Sequence, residues 1–245
     1  MSSSEHVPDR ATNQSAIEAF EPVAIEAIEQ AVVARRSVRG FRDERIPDVL
    51  LQRIFALAQS APSNCNVQPW RVYVASGPAR DRLRDALVVT ASAGTRSQPD
   101  FEHGAKFTGV YRTHQVECAV ALYNELGIER DDRPGRAKAA LRNFELFDAP
   151  HVAFIGMSKE FRTTVALDVG MYVQTLMLLM TAHGIGTCAM GSLRNYPDVV
   201  RAEFGVPEDV GLLCGISFGY EDTAHAANRT RTTRSGVQDN VVFRE

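Results

Sequence analysis

At 245 residues the chain is long enough for one large domain or two small ones with a sizeable core. A hydrophobic content of 44% and a charged content of 23% are those of an ordinary globular protein. The net charge of -3 and a pI near 6.1 argue against a general nucleic-acid or membrane-surface binder.

Residues 1 to about 15 are polar and are expected to be disordered. Pro22 starts a predicted helix with Ile25, Ile28 and Val32 on one face, ending at Arg35-Arg36-Ser37-Val38-Arg39. Pro47-Asp48 opens a second helix, and the turn-rich loop Ser60-Ala-Pro-Ser-Asn-Cys-Asn-Val-Gln-Pro-Trp70 follows it. Arg71 to Ser76 reads as a strand and residues 79–89 as a helix. Residues 91–113 read as a long loop, and residues 115–126 and 136–147 as helices. Ala149 to Gly156 is a short apolar strand. Thr163 to His183 is the longest apolar segment; Thr164, Asp168 and Thr175 mark a narrow polar stripe on it, as in a central buried helix rather than a membrane span. A glycine turn, Gly184 to Gly191, a helix from Pro197 to Phe204, a buried strand from Val210 to Phe218 and a last short strand, Asn240 to Phe243, complete the chain. Helices and strands mix without βαβ alternation, so the class is α+β.

Four cysteines (Cys65, Cys118, Cys188, Cys214) show no metal-ligand spacing, and no apolar run opens the chain. Reduced thiols, no metal, no signal peptide and a cytoplasmic location are the expectation.

Three guanidiniums within Arg35 to Arg39 repel one another unless an anion sits between them, and arginine's fork of donors matches phosphate oxygens. A solvated, helix-terminating charge run is the plainer reading of that segment alone. Arg229-Thr-Arg231-Thr-Thr-Arg234 is a second cluster, and both make sense if they face one phosphate. Gly184-Ile-Gly186-Thr-Cys-Ala189 matches the dinucleotide fingerprint in letters only, because a helix rather than a strand precedes it; a helix-ending turn into a strand is expected. Cys188 has no histidine nearby in sequence to activate it, and no nucleophilic serine signature is present. Asp168, mid-helix, reads as a structural cap or partner, and Trp70 as packing.

Taken in order, the Arg35–Arg39 segment, the Ser60–Trp70 loop, the Gly184–Gly191 turn and Arg231-Thr-Thr-Arg234 resemble the FMN-dependent nitroreductase family over roughly residues 22–245. Tyr111–Asp132 is more similar to its nitrobenzoate-reductase branch. The resemblance implies a nitroreductase-like fold, with a mostly antiparallel sheet flanked by helices, over one FMN-binding domain spanning residues 16–245. It implies an intertwined homodimer with the long helix in the interface, the C-terminal strand exchanged, and FMN contacted by both chains.

Carried over by position, Arg35, Arg36, Ser37 and Arg39 would grip the phosphate and ribityl end, with Arg231 and Arg234 closing on the phosphate. Pro62, Ser63, Asn64 and Asn66 would reach the flavin from the other subunit. Ala189, Met190 and Gly191 would line the isoalloxazine, the Gly191 N–H facing flavin N5. An asparagine-lysine pair that some members place on the pyrimidine edge has no evident match. Phe101, Phe107, Tyr111, Phe144 and Phe147 are aromatics for the substrate channel, most of them expected to be core. The implied activity passes hydride from NAD(P)H through the flavin to a nitroaromatic, giving nitroso and then hydroxylamine products. No side chain is assigned as catalyst. Another flavin reduction on this scaffold (dehalogenation, enone reduction) and a non-catalytic flavin-binding dimer are the alternatives.

Overall fold

A computed structural model describes residues 20–102 and 106–245; the expected N-terminal tail lies outside the described residues. Four strands, β1 (Arg71–Ser76), β2 (His151–Ser158), β3 (Gly186–Met190) and β4 (Val210–Gly219), form one antiparallel sheet in the order β1-β2-β4-β3. The apolar runs of β2 and β4 follow from their central places, where both faces are covered. Along β2, Val152 and Phe154 enter one core and Ala153 and Ile155 the other.

The first core packs α3 (Gly77–Ser92), through Leu83 and Leu87, and α7 (Pro197–Phe204), through Val200, against the sheet. The second packs α2 (Asp48–Ala58), through Ile54 and Ala58, and α6 (Thr163–Ala182), through Val169, Tyr172, Leu176 and Met180. Trp70 is buried and stacks on Tyr172 with ring centroids 4.8 Å apart, while its Nε1 donates to Gln59 at 2.9 Å. The tryptophan is therefore packing, as expected. α6 is long and apolar enough to cross a membrane, but only one face of it is buried, against this core; Leu167 on it is 67% exposed.

α1 (Pro22–Ala34) buries no residue, so the apolar face read from its sequence is present but uncovered in the single chain. The long loop expected at 91–113 is shorter than that. Residues 95–101 are pinned by Tyr196 Oη on the Thr95 carbonyl and by buried Asp100, which meets Arg201, Lys159 and the Leu212 N–H. Helix α4 (Gly109–Glu125) then begins earlier than expected. α5 (Arg133–Leu141) is capped by Asp132, whose carboxylate accepts the Gly135 N–H at 2.8 Å. It stops short of the predicted residue 147 because Leu146, Phe147 and Asp148 all have positive φ (58°, 54° and 65°) and cannot continue a right-handed helix. The C-terminal strand expected at Asn240 to Phe243 is not formed in the single chain: a turn, α8 (Val237–Asn240), is followed by exposed residues including Val242 and Phe243.

Candidate functional site

The arginine segment after α1 lies against the free edge of β3. Ser37 pairs with Thr187 in a parallel bridge, and the Val38 N–H donates to the Thr187 carbonyl at 2.9 Å. Gly186 allows this approach, since a Cβ there would stand 2.8 Å from Val38 Cγ2. Val38 itself is buried in the first core, so the segment is anchored by one apolar side chain between charged neighbours.

Asn228 joins this edge to the second arginine cluster. Its side-chain oxygen accepts the Arg39 N–H at 2.7 Å, across 189 residues of sequence, and its amide nitrogen donates to the carbonyls of Gly40 and Asp222, both at 2.8 Å. Its backbone carbonyl accepts from Arg231 Nη1 at 2.8 Å. Asn228 was not among the residues expected from the sequence; a buried asparagine beside a charge run carries no signal of its own. The guanidiniums of Arg35 and Arg39 have no hydrogen-bond or ion-pair partner among the described residues.

Two expected phosphate ligands behave differently. Arg36 is half-buried and ion-paired to Glu221, so one side of its fork is already used, while its Nη1 is buried without a partner. Arg234 donates only to its neighbours Thr232 and Thr233, at 2.9 and 2.7 Å. Arg36 thus ties the edge segment to the loop after β4, Arg35 and Arg39 are unpaired, and Arg231 and Arg234 each spend Nη1 on neighbouring oxygens and meet no carboxylate among the described residues. The orphaned Arg36 nitrogen and these four guanidiniums suit a phosphate.

The glycine turn is the helix-to-strand connection expected, not a dinucleotide fingerprint: α6 ends, Gly184 has φ 71°, and β3 follows. The pleat of β3 sends Cys188 and Met190 into the first core and leaves Ala189 exposed. Met190 therefore cannot line a ligand with its side chain. Gly191 opens a 3-10 turn (Gly191–Asn195) and is exposed, with no atom within 4 Å of where a Cβ would be, so a flat ligand has access to its backbone. Burial pushes the Cys188 thiol up, against the Arg39 charge and a hydrogen bond with Ser37, which leaves it an inert core thiol.

The Ser60–Trp70 loop is exposed at Pro62, Asn64 and Asn66 and strained, with positive φ at Cys65, Asn66 and Gln68. Ser63 Oγ accepts the Gln68 N–H at 3.0 Å, and buried Asp168 on α6 accepts the Asn64 N–H at 3.2 Å. Asp168 is thus the structural partner expected, holding the loop on α6. No hydrogen bond or ion pair among the described residues joins this loop to the arginine edge of its own chain.

Of the aromatics considered for a channel, Phe101 packs in the second core over Gly211, Phe144 packs on Tyr196 and Phe147 is buried in the first core. Phe107 and Tyr111, 57% and 68% exposed, remain available. Beside Arg39 a cavity of about 460 Å³ opens between the end of α4, α5 and the left-handed turn at Phe147-Asp148. Arg142 forks onto Asp148 at 2.5 and 3.1 Å and meets Glu145 at 2.7 Å, which holds the Asp148 carboxyl below its ordinary range and pins the turn.

The description "Nitroreductase family" matches residues 32–220 of this chain. Nitroreductase NfnB of Mycolicibacterium smegmatis is 43% identical over 219 residues, 89% of this chain and 93% of that protein. A 4-nitrobenzoate reductase of Nocardioides sp. is 33% identical over 224 residues, covering 90% of this chain and 91% of its own length. Among solved structures, the FMN-dependent nitroreductase NfnB from Mycobacterium smegmatis in complex with NADPH superposes with a TM-score of 0.87 at 40% identity, over 91% of this chain and 100% of that one. The antiparallel sheet, the helices on its two faces and these matches agree: the chain belongs to the nitroreductase family.

Proposed function

We propose that this protein is an FMN-dependent, NAD(P)H-driven nitroreductase acting on small nitroaromatics as a homodimer in the cytoplasm. The observation that carries the reading is Asn228, which gathers Arg39 and Arg231 at the free edge of β3. Bound FMN would supply the redox chemistry, accepting hydride from NAD(P)H and delivering it to the nitro group.

The chain's own residues supply holding and orientation. Arg35, Arg39 and Arg231 would hold the phosphate, and Ser37 would sit beside the ribityl chain. Ala189 and the backbone of Gly191, both exposed, would form the ledge for the ring, with the Gly191 N–H as its hydrogen-bond donor. Pro62, Ser63, Asn64 and Asn66 would complete the site from the second subunit, a reading supported by the exposure of Pro62, Asn64 and Asn66. The uncovered apolar faces of α1, α6 and the C-terminal residues are the surfaces that such a dimer would bury. Free thiols at all four cysteines suit a reducing compartment. The relatives named for nitro reduction, one an FMN-dependent enzyme crystallised with NADPH, favour this acceptor over halogenated or enone compounds.

The test is the double variant Arg39→Ala with Arg231→Ala. Losing two charge-assisted contacts should weaken FMN binding by about a hundredfold or more in a fluorescence titration while the protein stays folded by circular dichroism. Unchanged FMN affinity would refute the assignment of the site.

A further inference from the structure

The cavity between the end of α4, α5 and the turn at Phe147-Asp148 meets the proposed flavin site at one residue. Of the side chains given to the flavin, Arg39 lines it, and neither Ala189 nor Gly191 does. Its wall on that side includes Ala227, next to Asn228, whose side chain accepts the Arg39 N–H. A ligand that enters this cavity from the flavin site therefore extends from the phosphate, away from the ring.

The lining states what such an extension would have to be. Leu122, Leu126 and Phe147 give it apolar walls, and a volume of about 460 Å³ is enough to enclose a small ligand. Three cations, Arg39, Lys138 and Arg142, face two carboxylates, Glu145 and Asp148. Arg142 takes both carboxylates, whereas Lys138, exposed on α5, has no carboxylate or hydrogen-bond partner among the described residues. An uncompensated cation thus stands over an apolar slot that begins where the first phosphate would end. A second phosphate carrying a flat base matches both features. The geometry points to this cavity as a site for an adenylate joined to the flavin phosphate, so that the chain accepts FAD as well as FMN. The second phosphate lies on Lys138, and the adenine lies against Leu122, Leu126 and Phe147. This rests on the flavin site proposed above and is independent of the acceptor.

The experiment measures FMN and FAD binding by calorimetry to the full chain stripped of flavin, in wild type, Lys138→Glu and Ala139→Phe, the last placing a ring in the cavity. Wild type should bind FAD within about tenfold of FMN. Each substitution should weaken FAD about tenfold and leave FMN affinity unchanged. A wild type that binds FMN and excludes FAD, FAD binding indifferent to either substitution, or an equal loss of both flavins would each overturn the proposal. Bleaching of each bound flavin by NADPH separates this inference from the enzyme reading. Lys138-dependent FAD binding to a protein that NADPH leaves oxidised would keep the pocket and sink the reductase activity. A reducible FMN protein that excludes FAD would do the reverse, and a protein that binds neither flavin would overturn both.

Discussion

Asn228 and His151 show how single buried polar side chains set this fold. The side chain of Asn228 makes three hydrogen bonds to backbone, at Arg39, Gly40 and Asp222. Asn228→Ala strands the Arg39 N–H and leaves the Gly40 and Asp222 carbonyls with only the Asp222 and His225 N–H groups, so unfolding free energy should fall by about 1–2 kcal/mol in urea titrations, with FMN affinity falling in parallel. A stable variant with full affinity would show that the two arginine clusters do not depend on this residue. His151 is fully buried at the start of β2, with Nε2 accepting the Ile46 N–H at 3.0 Å and Nδ1 2.5 Å from Ser76 Oγ. A proton on Nε2 would face another N–H. Burial, helped by the Arg45 charge, pushes its pKa down to about 4. The unfolded chain binds this proton near pH 6.5 and the folded one does not, so stability is full above about pH 6.5 and falls as the pH drops to about 4. The loss should reach about 3 kcal/mol, and His151→Gln should flatten that part of the stability-pH curve. At this scale the sequence was readable at Asp168, whose place mid-helix in an apolar segment pointed to a structural partner, and the loop backbone at Asn64 is that partner. It was unreadable where a role depends on a distant partner. Glu221, which takes Arg36 out of the free set, and Asn228 are both ordinary in their local sequence.

Elements were legible in proportion to how one-sidedly they are buried. α2 and α7 present an apolar face to one core, and their extents follow from proline starts and periodicity. α4 buries no residue completely, so its start had no periodic signature and its glycines read as loop. The left-handed turn at Leu146 to Asp148 was invisible because none of its residues is glycine; the Arg142 fork that holds it is formed only once the chain has folded. α6 carries the prediction at this scale. Its outer face leaves Leu167 and Met171 uncovered, beside the equally uncovered α1. Leu167→Asp should therefore shift the protein to monomer in sedimentation velocity and release FMN with it, because the Ser60–Trp70 loop sits on the same helix. A dimer that persists with FMN bound would move the interface elsewhere.

At the scale of the whole molecule, a sheet with both faces covered has one edge at β3 left for a ligand, and the arginine segment occupies part of that edge. In the proposed site a single chain would supply the phosphate cations and the ledge, while its own turn-rich loop sits on α6. Such a division would account for the lack of a self-contained cofactor motif in the sequence, where order along the chain, rather than any one motif, carried the resemblance. The C-terminal residues have a strand-like sequence, yet Val242 and Phe243 are exposed and belong to no strand. The most direct measurement is an anaerobic visible spectrum of the purified protein with FMN, recorded before NADPH, after NADPH, and after 4-nitrobenzoate. The account predicts a bound flavin band that bleaches with NADPH and is restored by the nitro compound. A protein that takes up no FMN, or a bound flavin that NADPH leaves oxidised, would contradict it.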